Sequence, residues 1–231
     1  MAAEHPLRGQ AAIITGGSTD VAAACALALA GEGVSVCLCG PQEDLLEMAA
    51  ARVRAGGGAC EIIVSALDTL EDAASVMTHT LHSFGRLDML IMVSPFWAGG
   101  QIHAHSLQAW DLVINANLRQ AFLMSRAALP HFRGQKSGQI VAVGSDSALG
   151  IYAQDGAYGV AMHALTTLVE LIRAENSEHG IRAHILSPGV ALTLDTGSDG
   201  QPALTSAHVA GWVVWLLNQP AGVRGSGPIL L

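Results

Sequence analysis

Lysine and aromatic residues are scarce in this sequence. Of its 231 residues, Lys136 is the one lysine, and phenylalanine, tryptophan and tyrosine together make up 4%. The formal net charge is -8 at pH 7, and the arginines form no basic cluster. A nucleic-acid partner is therefore not expected, because such proteins present concentrated positive charge to the phosphate backbone.

Cysteines and long apolar runs are also few. The four cysteines are Cys25, Cys37, Cys39 and Cys60, and none forms a Cys-x-x-Cys pair. Their apolar surroundings predict small core residues in a reducing compartment, with no disulfide and no metal. The longest apolar run, 21–30, is too short to cross a bilayer, and residues 1–10 lack the apolar core of a signal peptide. We therefore expect a cytoplasmic protein without a membrane partner.

What the sequence does contain is a regular alternation of short apolar runs and longer helical patterns. Nearly continuous apolar runs of four to eight residues are typical of parallel strands that are covered on both faces. Strands are predicted at 11–15, 34–38, 61–64, 89–93, 140–143, 182–186 and 229–231. Helices are predicted at 21–31, 43–55, 71–84, 107–129, 158–179 and 205–217. This order indicates an α/β fold in which residues 1–231 form a single domain with a doubly wound parallel sheet of about seven strands.

Several short motifs follow one another along these elements. They are Thr15-Gly16-Gly17 after the first strand, Gly85-Arg86-Leu87-Asp88 before the fourth, Asn117 in the following helix, Ser145 and Tyr158 thirteen residues apart, and Ser187-Pro188-Gly189 with Thr193. In this order and spacing the chain resembles the short-chain dehydrogenase/reductase family over almost its whole length. The resemblance implies a Rossmann-like fold and a ligand crevice at the carboxyl ends of the strands.

The resemblance also implies a dinucleotide site, which this sequence matches only in part. Its candidate residues are Thr15, Gly16, Ser18, Asp20, Pro188, Gly189 and Thr193. Asp20 stands where the family has the second glycine of a Thr-Gly-x-x-x-Gly-x-Gly turn, and its charge opposes a phosphate. An alternative role for Asp20 is to cap the helix that begins there.

Further departures follow the second, third and fourth strands. Cys39-Gly40-Pro41 carries neither the acidic residue nor the arginine that the family uses at the ribose, and Asp68 matches the adenine-contacting aspartate only with a shift of a residue or two. The family's Asn-Asn-Ala-Gly is replaced by Met92-Val93-Ser94-Pro95, and Phe96 and Trp97 come next. These aromatic side chains either fill a vacated nucleotide cleft or simply pack at the strand end.

The catalytic motif is incomplete. Asn117, Ser145 and Tyr158 match the family's proton-relay asparagine, substrate-binding serine and proton-transferring tyrosine, but Met162 replaces the lysine one helical turn after the tyrosine. A thioether carries no charge, so we expect Tyr158 to remain a neutral phenol with a pKa of about 10. No metal is expected, because His103 and His105 have no further ligand placed by the sequence.

Three functions are compatible with these residues. One is a non-catalytic subunit that assembles with itself or an intact relative through helices 107–129 and 158–179. The second of these helices is expected to carry an apolar stripe that a monomer would have to expose, formed by Ala161, Leu165, Leu168, Val169 and Ile172. The second is a cofactor-independent, non-redox enzyme that uses Ser145 and Tyr158. The third is an NAD(P)H-dependent carbonyl reductase or alcohol dehydrogenase with an atypical site; only this function needs a cofactor.

Overall fold

The computed structural model describes residues 6–189, 204–220 and 229–230, which fold around one parallel sheet. The strands are β1 Ala11–Thr15, β2 Ser35–Gly40, β3 Cys60–Val64, β4 Met89–Val93, β5 Gly138–Val143, β6 Ile181–Ser187 and β7 Ile229–Leu230. The α-helices are α1 Asp20–Gly31, α2 Glu43–Ala55, α3 Leu70–Phe84, α4 Leu107–Ile114, α5 Gln120–Gln135, α6 Gly156–Asn176 and α7 Ser206–Leu217. The predicted α/β fold is confirmed.

The order of the strands explains where a ligand can bind. The sheet runs β3-β2-β1-β4-β5-β6-β7, so the chain reverses direction across the sheet between β1 and β4. Thr15 at the end of β1 pairs with Met92, and Val93 at the end of β4 pairs with Val143. In doubly wound sheets the crevice lies outside the carboxyl ends of the strands at this reversal.

Both faces of the sheet are buried. One face packs with residues of α3, α5 and α6, and the other with residues of α1, α2 and α7. This double burial accounts for the continuous apolar strands seen in the sequence. The four cysteines are buried and unpaired, and burial raises the pKa of the Cys37 thiol to about 11. They are core residues, as predicted.

The long helix predicted at 107–129 has a different form. It comprises α4, a π-helical turn over Asn115–Arg119 and α5, which continues past Pro130 to Gln135. The predicted end at 129 is wrong because Phe132, fully buried in the core, keeps the last turn packed on the sheet despite the proline. Within the described ranges, no helix has both the length and the apolar character to cross a membrane.

Two other expectations about the helices are wrong. Thr19 caps α1, because its Oγ1 accepts a hydrogen bond from the Ala22 amide at 3.2 Å, while Asp20 lies exposed in the first turn. The apolar stripe on α6 is not an exposed face, because it packs onto the sheet. Ala161, Leu165, Val169 and Ile172 are buried, and Leu168 is half-buried.

Candidate active site

A cavity of about 600 Å³ lies at the carboxyl ends of β1 to β4, at the reversal point of the sheet. Its described lining is Gly16, Ser18, Thr19, Gly40, Pro41, Gln42, Ala66, Asp68, Pro95, Phe96, Leu112, Asn115, Ala116 and Gln120. We call it the first cavity. It includes Asp68, which follows β3. It does not include Asp20, so the charge of Asp20 is not part of this wall.

Close backbone packing shapes the floor of the first cavity. Gly16 has φ +67°, and a Cβ at this position would lie 2.5 Å from the Val93 carbonyl oxygen. A Cβ on Gly40 would lie 2.9 Å from the Ser18 Oγ. That Oγ is buried and has no hydrogen-bond partner among the described residues. The glycines therefore leave room beside a polar atom that a ligand can satisfy.

Asn117 fixes the wall after β4. Its Nδ2 donates to the carbonyl oxygens of Phe96 at 2.6 Å and Val113 at 2.9 Å, and its Oδ1 accepts from the Phe96 amide at 3.2 Å. The π-helical turn presents this side chain to the strand end, a use often made of such turns near functional sites. Phe96 consequently lines the cavity, and Trp97 is 65% exposed. Neither aromatic residue fills the cleft.

Ser145 and Tyr158 lie beyond the ends of β5 and β6. The Ser145 Oγ donates to Asp146 Oδ1 at 2.9 Å and accepts from the Ser147 amide at 3.3 Å. The Asp146 amide donates to the Pro188 carbonyl oxygen at 3.0 Å, which brings the segment after β6 beside the serine. The Ser145 hydroxyl is thus oriented by its own loop after β5, and that loop is bonded to the segment after β6 through Asp146 and Pro188.

The pKa of Tyr158 is raised above its usual value of 10, mainly because the phenol is buried. Hydrogen bonding to the Ser145 hydroxyl opposes this shift, whereas the negative charges of Asp146 and Asp155 add to it. The expectation of an unperturbed pKa is therefore wrong, since the sequence did not place these carboxylates near the phenol. Tyr158 holds its proton even more firmly than expected.

Met162 belongs to the apolar core. Its side chain is fully buried in the cluster that contains Leu165 and Ile185. Lys136 cannot replace the missing lysine, because it lies before β5 whereas Ser145 follows it, and a six-residue strand is roughly 20 Å long. Among the described residues, no lysine accompanies Tyr158.

The remaining predicted residues divide into three groups. Thr15 is buried at the end of β1, and Gly16 and Ser18 line the first cavity. Pro188 and Gly189 follow β6, with Pro188 bonded to the Ser145 loop. Thr193 lies outside the described residues. Those of the predicted cofactor and catalytic residues that the structure describes thus follow the carboxyl ends of the strands, at the same edge of the sheet.

Sequence reasoning missed several polar groups at this edge. Gln120 Nε2 donates to the Ala66 carbonyl oxygen at 2.7 Å and so ties α5 to the segment after β3. Asp146 and Asp155 set the charge around Tyr158. Their closeness in sequence to Ser145 and Tyr158 was the available signal, but the direction of each side chain was not.

A second cavity, of about 260 Å³, lies between the loop after β4 and the loop that leads into α6. The two loops are joined by a hydrogen bond from the Gly100 amide to the Gln154 carbonyl oxygen at 2.6 Å. The described lining of this second cavity is Gly100, Gln101, Ile102, Gly150, Ile151, Tyr152, Ala153, Gln154, Asp155, Gly156, Gly159 and Val160. It includes Gly156, Gly159 and Val160 from the start of α6, the helix that also carries Tyr158.

A parallel sheet with a glycine-lined cavity at its reversal point and a serine–tyrosine pair at the adjoining strand ends defines a Rossmann-like protein of the oxidoreductase class. Comparison with known proteins identifies the family. Residues 10–201 match the family model described as short chain dehydrogenase. The chain therefore belongs to the short-chain dehydrogenase/reductase family.

Three similar proteins match over at least 90% of their length. An uncharacterized oxidoreductase of Staphylococcus saprophyticus is 26% identical over 222 residues, which cover 94% of this chain and 95% of that protein. The 2-(S)-hydroxypropyl-CoM dehydrogenase 3 of Xanthobacter autotrophicus is 26% identical over 230 residues, covering 97% and 90%. A metagenomic short-chain oxidoreductase solved in complex with NADP is 27% identical, covers 97% of both chains and gives a TM-score of 0.83.

Proposed function

We propose that this chain is an NAD(P)H-dependent carbonyl reductase in which Tyr158 acts as a neutral proton donor. The observation that carries the proposal is the environment of Tyr158. The phenol lies beside Ser145 at the functional edge of the sheet, and burial keeps it protonated by raising its pKa. A protonated phenol is the form that carbonyl reduction consumes.

The first cavity has the size and the polar groups that a bound nucleotide would need. Its volume of about 600 Å³ is within the range of cofactor sites, and the unsatisfied Ser18 Oγ lies in its wall. Gly16 and Ser18 would hold the nucleotide backbone, and Asp68 would accept from an exocyclic amino group. When bound, the nicotinamide nucleotide supplies the hydride. A related oxidoreductase of known structure is named as a complex with NADP, which agrees with this assignment.

The absence of the lysine changes the preferred direction of the reaction. A cation beside Tyr158 would favour the phenolate, which is the base needed for alcohol oxidation. Met162 provides no such charge, and Asp146 and Asp155 oppose the phenolate. The chain's own residues therefore suit reduction of a carbonyl better than oxidation of an alcohol.

Nucleotide titration and turnover test the proposal together. We expect saturable binding of NADPH or NADH, and NAD(P)H-dependent reduction of small ketones that falls by about 10²–10⁴-fold in Tyr158→Phe. Thr167→Ala is the matched control, because it removes an exposed hydroxyl from the same helix, where it bonds only to the His163 carbonyl oxygen among the described groups. Turnover that Tyr158→Phe leaves unchanged, in protein that binds nucleotide, would exclude this role for the tyrosine.

The buried Met162 favours a second candidate, a non-catalytic subunit that pairs with an intact relative. Such pairing would use helices 107–129 and 158–179, where Phe122 and Leu171 are 49% and 53% exposed. If the chain binds neither nucleotide but forms a stable hetero-oligomer whose turnover is unaffected by Tyr158→Phe, this second function is the correct one. Light scattering and activity of the mixture provide the two measurements.

A further inference from the structure

Asp155 gives the second cavity a single charge. It is the one ionisable side chain with formal charge among the described lining residues, whose other members are glycines, aliphatic residues, two glutamines and Tyr152. No lysine, arginine or histidine belongs to that described lining. The His105 ring packs against Gly156, but no hydrogen bond joins it to Asp155, and its Nε2 is also buried without a partner among the described residues.

The carboxylate of Asp155 is not used by the fold in the usual way. The residue occupies the position before the first residue of α6, where aspartate normally accepts hydrogen bonds from the first-turn amides. Here its side chain makes no capping hydrogen bond. Its Oδ2 is buried and has no hydrogen-bond partner among the described residues.

The lack of a side chain at Gly159 leaves room for the Asp155 carboxylate. A Cβ on Gly159 would lie 3.1 Å from the Cβ of Asp155 and 3.6 Å from its Oδ2. The Asp155 side chain therefore lies over Gly159, along the first turn of α6 and beside the second cavity. A buried carboxylate oxygen without a donor is costly, and a cationic ligand would supply both the charge and the hydrogen bond.

We propose that the second cavity binds the ammonium group of the substrate through Asp155, so that the preferred substrates are amino ketones. This inference rests on the proposed function, since it identifies the class of carbonyl compound that Tyr158 protonates. Asp155 immediately precedes α6 and Tyr158 lies three residues later, and the charge of Asp155 acts on the phenol. We therefore expect a short spacer between the ammonium group and the reacting carbonyl. Substrates with a carboxylate are repelled by Asp155 and by Asp146.

The reaction is balanced without any further reagent. The hydride taken up by the carbonyl carbon would be supplied by the nicotinamide nucleotide of the proposed function, and the Tyr158 hydroxyl would give a proton to the carbonyl oxygen. The carbon–oxygen double bond becomes a single bond, the nucleotide is oxidised, and Tyr158 recovers a proton from solvent. The ammonium group is unchanged, so Asp155 acts in binding and specificity.

Three probes that share one skeleton test the charge preference. These are 2-amino-1-phenylethanol, 1-phenyl-1,2-ethanediol and mandelate, which carry an ammonium, a hydroxyl and a carboxylate. Their affinities are measured by ligand-detected NMR or calorimetry on the full chain, with and without NADPH. A charge-assisted hydrogen bond predicts that the amino alcohol binds at least about tenfold more tightly than the diol, with mandelate weakest.

Substitution then locates the effect. Asp155→Asn is isosteric and should lower the affinity for the amino alcohol to that for the diol, while the affinity for the diol is unchanged. Asp111→Asn removes the same charge from the exposed surface of α4 and should leave the preference intact. Circular dichroism of both variants verifies that α6 is folded.

The outcomes separate this inference from the proposed function. Preferential binding of the amine that Asp155→Asn removes supports the ammonium site at Asp155, whereas a lack of nucleotide-dependent turnover would overturn the proposed function and, with it, the assignment of amino ketones as substrates. Equal affinities for amine and diol in both conditions, or no binding of the amine, overturn it. NADPH-dependent reduction of the neutral hydroxyketone would in that case still support the proposed function.

Discussion

The charged residues that shift the pKa of Tyr158 do not belong to the sequence motif. The motif identifies Ser145 and Tyr158, and the structure places them at the same edge of the sheet. The charges that act on the phenol come from Asp146 and Asp155. Loss of the lysine therefore does not simply leave Tyr158 with its usual pKa, because burial and these two charges raise it.

The direction of the Tyr158 shift gives a pH prediction. Because the pKa is raised above 10, the phenol stays protonated through neutral and mildly alkaline pH. We expect the rate of carbonyl reduction to show no loss attributable to Tyr158 until the pH exceeds 10. The rate of alcohol oxidation, which needs the phenolate, should rise as the pH exceeds 10. Pre-steady-state rates in both directions measure this, and an oxidation plateau near pH 7 would contradict it.

Met162 leads to a second prediction at this scale. The side chain is fully buried among apolar neighbours, and its Sδ lies 3.4 Å from the position of a Cβ on Gly144. Met162→Lys must bury an ammonium group there, and we expect it to lower the free energy of unfolding by about 2–4 kcal/mol. Urea unfolding provides the measurement.

Two observations serve as controls for Met162→Lys. Met162→Leu conserves volume and should cost less than about 1.5 kcal/mol. A lysine that remains charged should also lower the pKa of Tyr158, which would shift the alkaline rise of alcohol oxidation to lower pH. Unchanged stability in Met162→Lys would show that the position opens to solvent more readily than its burial indicates.

At the scale of whole elements, hydrophobic periodicity predicted the type and order of the strands and helices, but it gave one helix where the structure has α4 and α5. It failed at the π-helical turn, because one additional residue per turn hardly alters the apolar pattern of a long helix. The decisive contacts are polar, and they run from the Asn117 amide to Val113 and to Phe96. Likewise, the apolar stripe on α6 has the same pattern whether it faces a sheet or a partner, so the sequence could not assign its neighbour.

Asp88 connects two of these elements. Its Oδ2 accepts from the Ala11 amide at 2.9 Å and from Arg86 Nε at 2.7 Å, while its Oδ1 accepts from Arg86 Nη2 at 2.8 Å. The side chain therefore joins the start of β4 to the start of β1. We expect Asp88→Ala to reduce the free energy of unfolding by about 1–3 kcal/mol, because it leaves the Ala11 amide without this acceptor.

Urea unfolding of paired variants checks the role of Asp88. Asp88→Asn keeps an acceptor for the Ala11 amide and should lose less than Asp88→Ala. Asp111→Ala, at an exposed position on α4, should remain within about 0.5 kcal/mol of the parent. Equal losses for Asp88→Ala and Asp111→Ala would indicate that the link between the two strands contributes nothing measurable.

For the molecule as a whole, the family and the sheet follow from motifs distributed along the chain, whereas the balance of charge at the site depends on contacts between loops. The segment after β5 meets the segment after β6 through Asp146 and Pro188, and the segment after β4 meets the segment before α6 through Gly100 and Gln154. These loop pairs are far apart in sequence. Which of these loops contact each other can therefore be predicted only when the order of the strands in the sheet is known.

Global stability should depend on pH through His184. This residue lies in β6 with 9% of its surface exposed, and its pKa is lowered from 6.5 by burial first and by the charges of Arg182 and Arg173. A depressed folded-state pKa means that the unfolded chain binds the proton more tightly. The stability contribution is therefore present above pH 6.5 and is lost as the pH falls through the lower, folded-state value.

We expect the midpoint urea concentration of the parent protein to decrease as the pH is lowered from 7.5 to 5. His184→Asn should make this dependence of the midpoint on pH less steep, because asparagine does not titrate. His82→Asn changes an exposed histidine on α3 and should keep the parental slope, since no comparable burial acts on it. Midpoints measured for the three proteins at intervals across this range make the comparison. Indistinguishable slopes for His184→Asn and the parent would mean that other groups, including carboxylates near the lower end of the range, control the acid response. A weaker dependence of the midpoint on pH in His184→Asn alone would show that protonation of His184 causes the loss of stability at low pH.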